Sequence, residues 1–163
     1  MSGGGPIKIE TRELGRSPDL ALVVAAARDA GHPVMLVERP VADAVSIAGI
    51  GVALEIVSTP RGVELLDGSG DPIDAEAGGD RIAAAGRLWR RTALGTERSG
   101  PPGTGAVALG GFAFHPGREP AGPWLGFPGL LLRVPALALA RVRGRTFSSA
   151  AVEGAGQLLD GLV

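Results

Sequence analysis

The stretch GTGAVALGGFAFHPG, residues 103 to 117, constrains the fold more than any other part of the chain. Its apolar residues alternate as in a strand, yet glycine occupies positions 103, 105, 110 and 111. Glycine inside a strand costs roughly 0.5–1 kcal/mol relative to alanine. The chain must therefore gain something there that a side chain would block. One gain is a backbone that cradles phosphate; the other is a backbone that another layer of protein can approach closely. Gly103-Thr104-Gly105-Ala106-Val107-Ala108 does match the G-x-G-x-x-A spacing of a dinucleotide-binding turn. That turn needs a strand before the glycines and a helix after them, so that the pyrophosphate meets the helix N-terminus. Here Pro101 and Pro102 precede the glycines and a strand follows. No G-x-x-x-x-G-K-[ST] run occurs, which excludes a P-loop. Packing is the better explanation, with Gly110 and Gly111 meeting a facing layer and Phe112 and Phe114 filling the same core.

Similar punctuation divides the rest of the chain. Ile7 to Leu14 reads as a short strand. SPDLALVVAAARDAG, residues 17 to 31, reads as a helix with Ser17 as cap, Pro18 at the first helical position and Gly31 at C′. Leu20, Val23, Val24 and Ala27 form its apolar stripe. HPVMLVERP is a strand stopped by Pro40. AVSIAGIGVALEIVS changes phase: Val45 and Ile47 share one parity, while Ile50, Val52, Leu54 and Ile56 share the other. That change predicts a bulge or bend at Ala48-Gly49, with Gly49, Gly51 and Ala53 leaving room for another layer.

RGVELLDGSGDP predicts a strand and turn, and Asp80 to Leu94 a second helix ended by Gly95. Ile82, Ala85 and Trp89 would face inward on it; Arg81, Arg87, Arg90 and Arg91 would reach water. GTERSGPPGTG is a loop by composition. Strands are expected around 105–114 and 128–145. On the second, Leu137, Leu139, Arg141, Arg143 and Arg145 would share a face that begins buried and ends solvated. From Ser148 onward the chain is weakly helical at best.

Composition narrows the function classes. The chain has 163 residues, 45% of them apolar, which is enough for a domain with a sizeable core. The net charge of −1 supplies no field to attract nucleic acid or an anionic membrane. Without cysteine there is no disulfide, thiolate nucleophile or Cys-ligated zinc. MSGGGPIKIE does not resemble a signal peptide. The longest uncharged run, between Arg98 and Arg118, is broken by Pro101, Pro102, Pro116 and glycines, so no membrane span is predicted. A cytoplasmic protein is expected.

No residue stands out as chemistry-bearing. His32 and His115 each sit beside a proline at a strand edge, a common turn setting, and a triad cannot be read from spacing. Two histidines do not make a metal site without further ligands. Glu38-Arg39 reads as a solvated pair. Arg141, Arg143 and Arg145 could contact phosphate or a carboxylate, but the wet face of an edge strand is the better explanation. Asp71, Asp74, Glu76 and Asp80 lack the spacing of a calcium loop. Trp89, Trp124 and Phe127 read as core anchors rather than a ligand cage. No catalytic, cofactor-binding or metal-ligating residue is assigned.

Three stretches together resemble the isochorismate synthases of menaquinone and siderophore biosynthesis. HPVMLVERPVADAVSIAGIGVALEI resembles that family's pair of strands, in which Trp-Glu-Arg/Gln-Pro leads into GxGxAxEI. AAAGRLWRR resembles its helix with a Leu/Trp pair. The most specific likeness is GPPGTGAVALGGFAFHPGREPAGPWLGFPGLLLRVPALAL, against PGTGPVAFGGFAFDP … W … FP … LLVLPRLLL in the family. The departures are Val37 in place of Trp, Val34-Met35-Leu36 in place of an aromatic run, and His115 in place of Asp.

The resemblance spans roughly residues 18 to 147 and only the N-terminal part of the family's polypeptide. It implies an α+β class: a partial chorismate-binding (anthranilate synthase component I-like) fold, an antiparallel β-sheet with flanking helices. The full-length enzymes bind chorismate and Mg²⁺ and isomerise chorismate to isochorismate. A lysine in a KVVLAR-like motif serves as general base, with downstream glutamates as general acid and metal ligands. None of those motifs occurs here, and Lys8 lies outside any such motif.

The expectation is therefore an N-terminal fragment, inactive alone and holding no cofactor itself. Residues 1–17 would form a flexible start with a short strand, 18–147 the chorismate-binding portion and 148–163 a truncated tail. Unpaired strand edges would favour self-association. An alternative is the matching part of an anthranilate or aminodeoxychorismate synthase component. Those carry a Leu-Leu-Glu-Ser-like strand where this chain has Leu36-Val37-Glu38-Arg39, and tryptophan binding would single out the anthranilate branch. Another alternative is a non-enzymatic ligand-binding or interaction module.

Overall fold

A computed structural model describes residues 7–38, 45–93, 100–113, 121–152 and 155. The described residues form an α+β fold of two five-stranded antiparallel sheets and two α-helices. The first sheet contains β1 (Glu10–Glu13), β2 (Val34–Val37), β3 (Ser46–Ile50), β9 (Leu137–Val142) and β10 (Arg145–Ala150), in the order β1-β10-β9-β3-β2. The second contains β4 (Leu54–Thr59), β5 (Gly62–Asp67), β6 (Pro72–Ala77), β7 (Leu109–Phe112) and β8 (Leu130–Val134), in the order β6-β5-β4-β8-β7. Helix α1 (Leu20–Asp29) packs on β2 and β3, and α2 (Arg81–Ala93) on β4, β5 and β6.

Two strand paths pass from one sheet into the other. β3 leads into β4 while β8 leads into β9, and the two paths pair along their length. Ile50 pairs with Leu137 and Leu54 with Val134, so Gly51, Val52 and Ala53 stand opposite Pro135 and Ala136 alone. The extra residue bends the ladder as a bulge does. Gly51 takes φ +66° there, and the Ala53 amide donates to the Val134 carbonyl at 2.8 Å. The break therefore lies at Gly51–Ala53, not at Ala48-Gly49. Parity misleads because both faces of β3 are covered: Ala48 and Ile50 lie under α1, while Ile47 packs with Ala140, Val142 and Phe147 on the other side. Gly49 does admit close neighbours. A Cβ there would lie 2.7 Å from Pro135 Cγ and 3.2 Å from Leu109 Cδ1.

The stripe expected on α1 is present, and Leu20, Val23 and Ala27 meet Ile50, Leu137 and Leu139 in one core. Its cap differs. Asp19 Oδ1 accepts from the amides of Ala21 at 2.9 Å and Leu22 at 3.2 Å, so the helix begins after Pro18. Ser17 is instead tied to β10, where its Oγ lies 2.9 Å from Thr146 Oγ1. Gly31 ends the helix as expected, with φ +86°; its amide donates to Arg28 O, and the His32 amide donates to Ala27 O.

Helix α2 is rolled relative to the expected stripe. Ala84, Ala85, Leu88 and Thr92 are buried, and Ile82 is exposed. Ala84, Ala85 and Leu88 meet Ile56, Val63, Leu65, Leu130 and Val134 in the second core, with Trp89 packed beside them. Ionic contacts to β6 on one flank and Arg81 against the β7–β8 connection on the other accompany this roll. Asp80 Oδ1 caps the helix by accepting from Ile82 and Ala83, each at 3.0 Å. Leu94 and Gly95, expected to end α2, lie outside the described residues.

The single strand expected over 128–145 is β8, β9 and a tight turn. Val142 pairs with Arg145 across Arg143 (φ 50°) and Gly144 (φ 76°), both left-handed, as a two-residue hairpin turn requires. Leu137, Leu139 and Arg141 do share the α1 face. Arg143 lies in the turn, and Arg145 belongs to the opposite face of β10. That strand continues to Ala150 with Ser148 and Ser149 buried, where at most weak helix was expected from Ser148.

Candidate functional site

The glycine-rich segment supplies the first test of chemistry. Residues 100–105 lie over the face of the first sheet opposite α1, and Ala108 already packs against the second core. A Cβ at Gly103 would come within 2.6 Å of Val45 Cγ1, and the Gly105 amide donates to Ser149 Oγ at 2.9 Å. Thr11 Oγ1 and Ser149 Oγ lie 3.0 Å apart and complete the anchor. Gly103 (φ +94°) and Gly105 (φ +77°) thus place a covering loop on the sheet, and the Gly105 N–H is already engaged.

β7 departs from expectation. Gly110 has φ +157°, and a Cβ there would collide with the Leu131 carbonyl of neighbouring β8. The adjacent strand therefore demands glycine at 110, rather than a facing layer. Gly111 has open space around it. Phe112 is not a core residue: it is 52% exposed. Phe114, expected beside it, lies outside the described residues.

The 3₁₀ turn Gly122–Trp124 and the residues after it carry further exposed apolar side chains. Trp124, Leu125 and Phe127 are 66%, 77% and 58% exposed, and the two rings meet edge to face at 5.9 Å. Of the three expected core anchors, only Trp89 reaches a core. Trp124 and Phe127 lie on a turn in which Gly122 (φ +62°) and Gly126 (φ +88°) are left-handed, and both side chains face outward.

The outer strands of the two sheets differ in kind. β1 reads ETRE and β6 reads PIDAEA, so both carry charge, a common protection of sheet edges. β2 reads VMLV and β7 reads LGGF, with no charge on either. Leu36 and Val37 on β2 are exposed, as is Phe112 on β7.

The charged groups serve the fold. Arg87 Nε donates to Glu76 at 2.9 Å, and Arg91 reaches both Asp74, at 2.9 Å, and Glu76. Hydrogen bonds from Arg91, then Arg87, hold the Glu76 carboxyl below its ordinary value, and Glu76 and Asp74 hold Arg91 above its own. Asp67 Oδ1 accepts from the Ser69 and Asp71 amides in the β5–β6 turn. Arg133 Nε meets Glu55 at 2.7 Å across β8 and β4. Arg145 pairs with Glu13, lowering that carboxyl, and lies 5.2 Å over the Phe147 ring. Arg141 Nη2 donates to Pro18 O at 2.7 Å, fastening the entry of α1 to β9.

Among the described residues no group of three or more His, Asp or Glu side chains could hold a metal. They thus offer no donor set for the Mg²⁺ that the resemblance implies. His32 acts through its backbone amide at the end of α1. Glu38 is exposed, while Arg39 and His115 lie outside the described residues. No helix among the described residues is long and apolar enough to cross a membrane. Among the described residues, the surface presents an uncharged, glycine-bearing edge, β7, with Phe112 on it and Trp124, Leu125 and Phe127 on the segment leading to β8. No protein-family model matches the chain, and no curated protein matches it.

Proposed function

We propose that the chain is the N-terminal portion of an isochorismate synthase of the chorismate-binding group. In this reading it builds the scaffold against which a catalytic portion works, and it does not turn over chorismate alone. One observation carries the reading. The stretch with the most specific likeness, residues 100 to 139, forms β7, the exposed Trp124–Phe127 turn, β8 and the start of β9. Among the described residues it leaves an uncharged strand edge and apolar side chains exposed. A surface of that kind suits a sheet continued by further chain. The division into two antiparallel sheets with one helix on each agrees with the coarse architecture that the resemblance implies.

The general base, the general acid and the Mg²⁺ ligands would come from the catalytic portion. Menaquinone and siderophore synthesis are the two settings this enzyme class serves, and a cytoplasmic location goes with either. The coding DNA beyond the Val163 codon tests the proposal. A KVVLAR-like lysine motif followed by glutamate-bearing helices, in any frame, supports it, and the joined protein should then convert chorismate to isochorismate with Mg²⁺. Unrelated sequence in all frames refutes it.

A further inference from the structure

Resting on that reading, we propose that in the 163-residue chain by itself the edge which further chain would cover is taken by a second copy: the chain forms a two-fold dimer in which β7 pairs antiparallel with β7 of its mate. The Ala113 amide donates to the Gly129 carbonyl of the segment leading into β8. Backbone direction alternates along an antiparallel strand, so Leu109 and Gly111 also turn their N–H and C=O towards β8. Gly110 and Phe112 turn theirs outward. A second β7 centred on Gly111 sets Gly110 opposite Phe112 of its mate, and Phe112 opposite Gly110. Both pairs are of the hydrogen-bonded kind, so the contact forms about four main-chain hydrogen bonds.

The side chains favour the same occupant. Gly110 and Phe112 lie on the α2 face of the sheet, in register with Leu132 and Leu130. Gly110 cannot carry a side chain, and Phe112 is half exposed. In the dimer each Phe112 covers the bare backbone of the other copy's Gly110, a recurrent pairing of aromatic and glycine across strands. The strand is uncharged from Ala106 to Ala113, so a two-fold brings no like charges together. On β1, by contrast, a centred two-fold would set glutamates among glutamates and arginine. Antiparallel pairing also brings the Trp124–Phe127 turn, at the Phe112 end of one hairpin, level with the Leu109 end of the other. Those side chains add apolar area towards the ~800 Å² per partner typical of a stable interface.

The chain has no cysteine, which makes the contact directly testable by cross-linking. Gly111 has room for a side chain, and the two copies of residue 111 would form a non-hydrogen-bonded pair with Cα atoms about 4.5 Å apart, within disulfide reach. The full chain is examined by light scattering after size exclusion, with circular dichroism as a check on folding. Expected are a dimer for the native chain, a monomer for Gly111→Lys, and an oxidised, disulfide-linked dimer for Gly111→Cys. Glu10→Cys on β1 should remain uncross-linked. A monomeric native chain overturns the proposal. So does a dimer that survives Gly111→Lys without cross-linking through Gly111→Cys, or one dissociated by Leu36→Lys on β2 alone.

Discussion

Leu139 lies on β9 under α1, with no exposure, in the core of the first sheet. Replacing it with alanine removes three buried carbons and leaves a cavity, at a cost of about 3–4 kcal/mol. With a urea dependence of about 2 kcal/mol per molar, the unfolding midpoint should fall by ~1.5–2 M. The informative assay is tryptophan fluorescence. Both tryptophans belong to the second sheet's side: Trp89 on α2, Trp124 before β8. If the paths β3–β4 and β8–β9 make the sheets one cooperative unit, the fluorescence midpoint must fall as far as the circular dichroism midpoint. Leu88→Ala in the other core should do the same. Both are best measured on a Gly111→Lys background, so that association does not enter. A fluorescence transition that stays in place while circular dichroism shows an earlier loss would refute the coupling and make each sheet a separate folding unit.

Neighbouring glycines should answer differently to alanine. Gly110→Ala should destabilise by more than about 2 kcal/mol, because the side chain meets backbone, whereas Gly111→Ala should stay within about 0.5 kcal/mol; thermal unfolding distinguishes them, and equal losses would contradict the register of β7. Asp19→Ala and Asp80→Ala should each cost about 1 kcal/mol through lost helix caps, and no change in denaturant midpoint at either would remove that residue as a cap. Glu76 is held below its ordinary value of 4.5 by Arg91 and Arg87, so its contribution to stability is present above pH 4.5 and is lost as pH falls through the lowered value. Melting temperatures between pH 6 and pH 3 should therefore fall less steeply for Glu76→Gln than for the native chain, and parallel curves would count against the ionic latch.

The sequence made the two helices, the strand character of most segments and the α1 stripe legible because each follows a period of its own. It misled where burial was two-sided. β3 is covered on both faces, so its alternation did not mark the bend that Gly51 makes a few residues later. The Arg143-Gly144 turn was hidden because a two-residue turn hardly interrupts an apolar-then-basic run. Ser17 looked the better cap, yet its hydroxyl is drawn to Thr146, a partner 129 residues away that no local pattern can announce. Trp124 and Phe127 read as core residues yet are exposed, for a related reason. Aromatic content signals a tendency to be covered, and the covering group need not be part of the surrounding fold.

The pairing of β1 with β10, Glu10 against Ala150, has a bearing on how the chain assembles during synthesis. Strands β4 to β6 and α2 form one local block over residues 54 to 93, so their core can begin to close while the rest is still being made. β1 emerges earlier but has no neighbour until β10 follows more than 130 residues later. Loop closure over that distance slows folding, and an edge left waiting is open to other strands. The charges of Glu10, Arg12 and Glu13 thus guard β1 during its long wait, a protection that the late-made and uncharged β7 does not share.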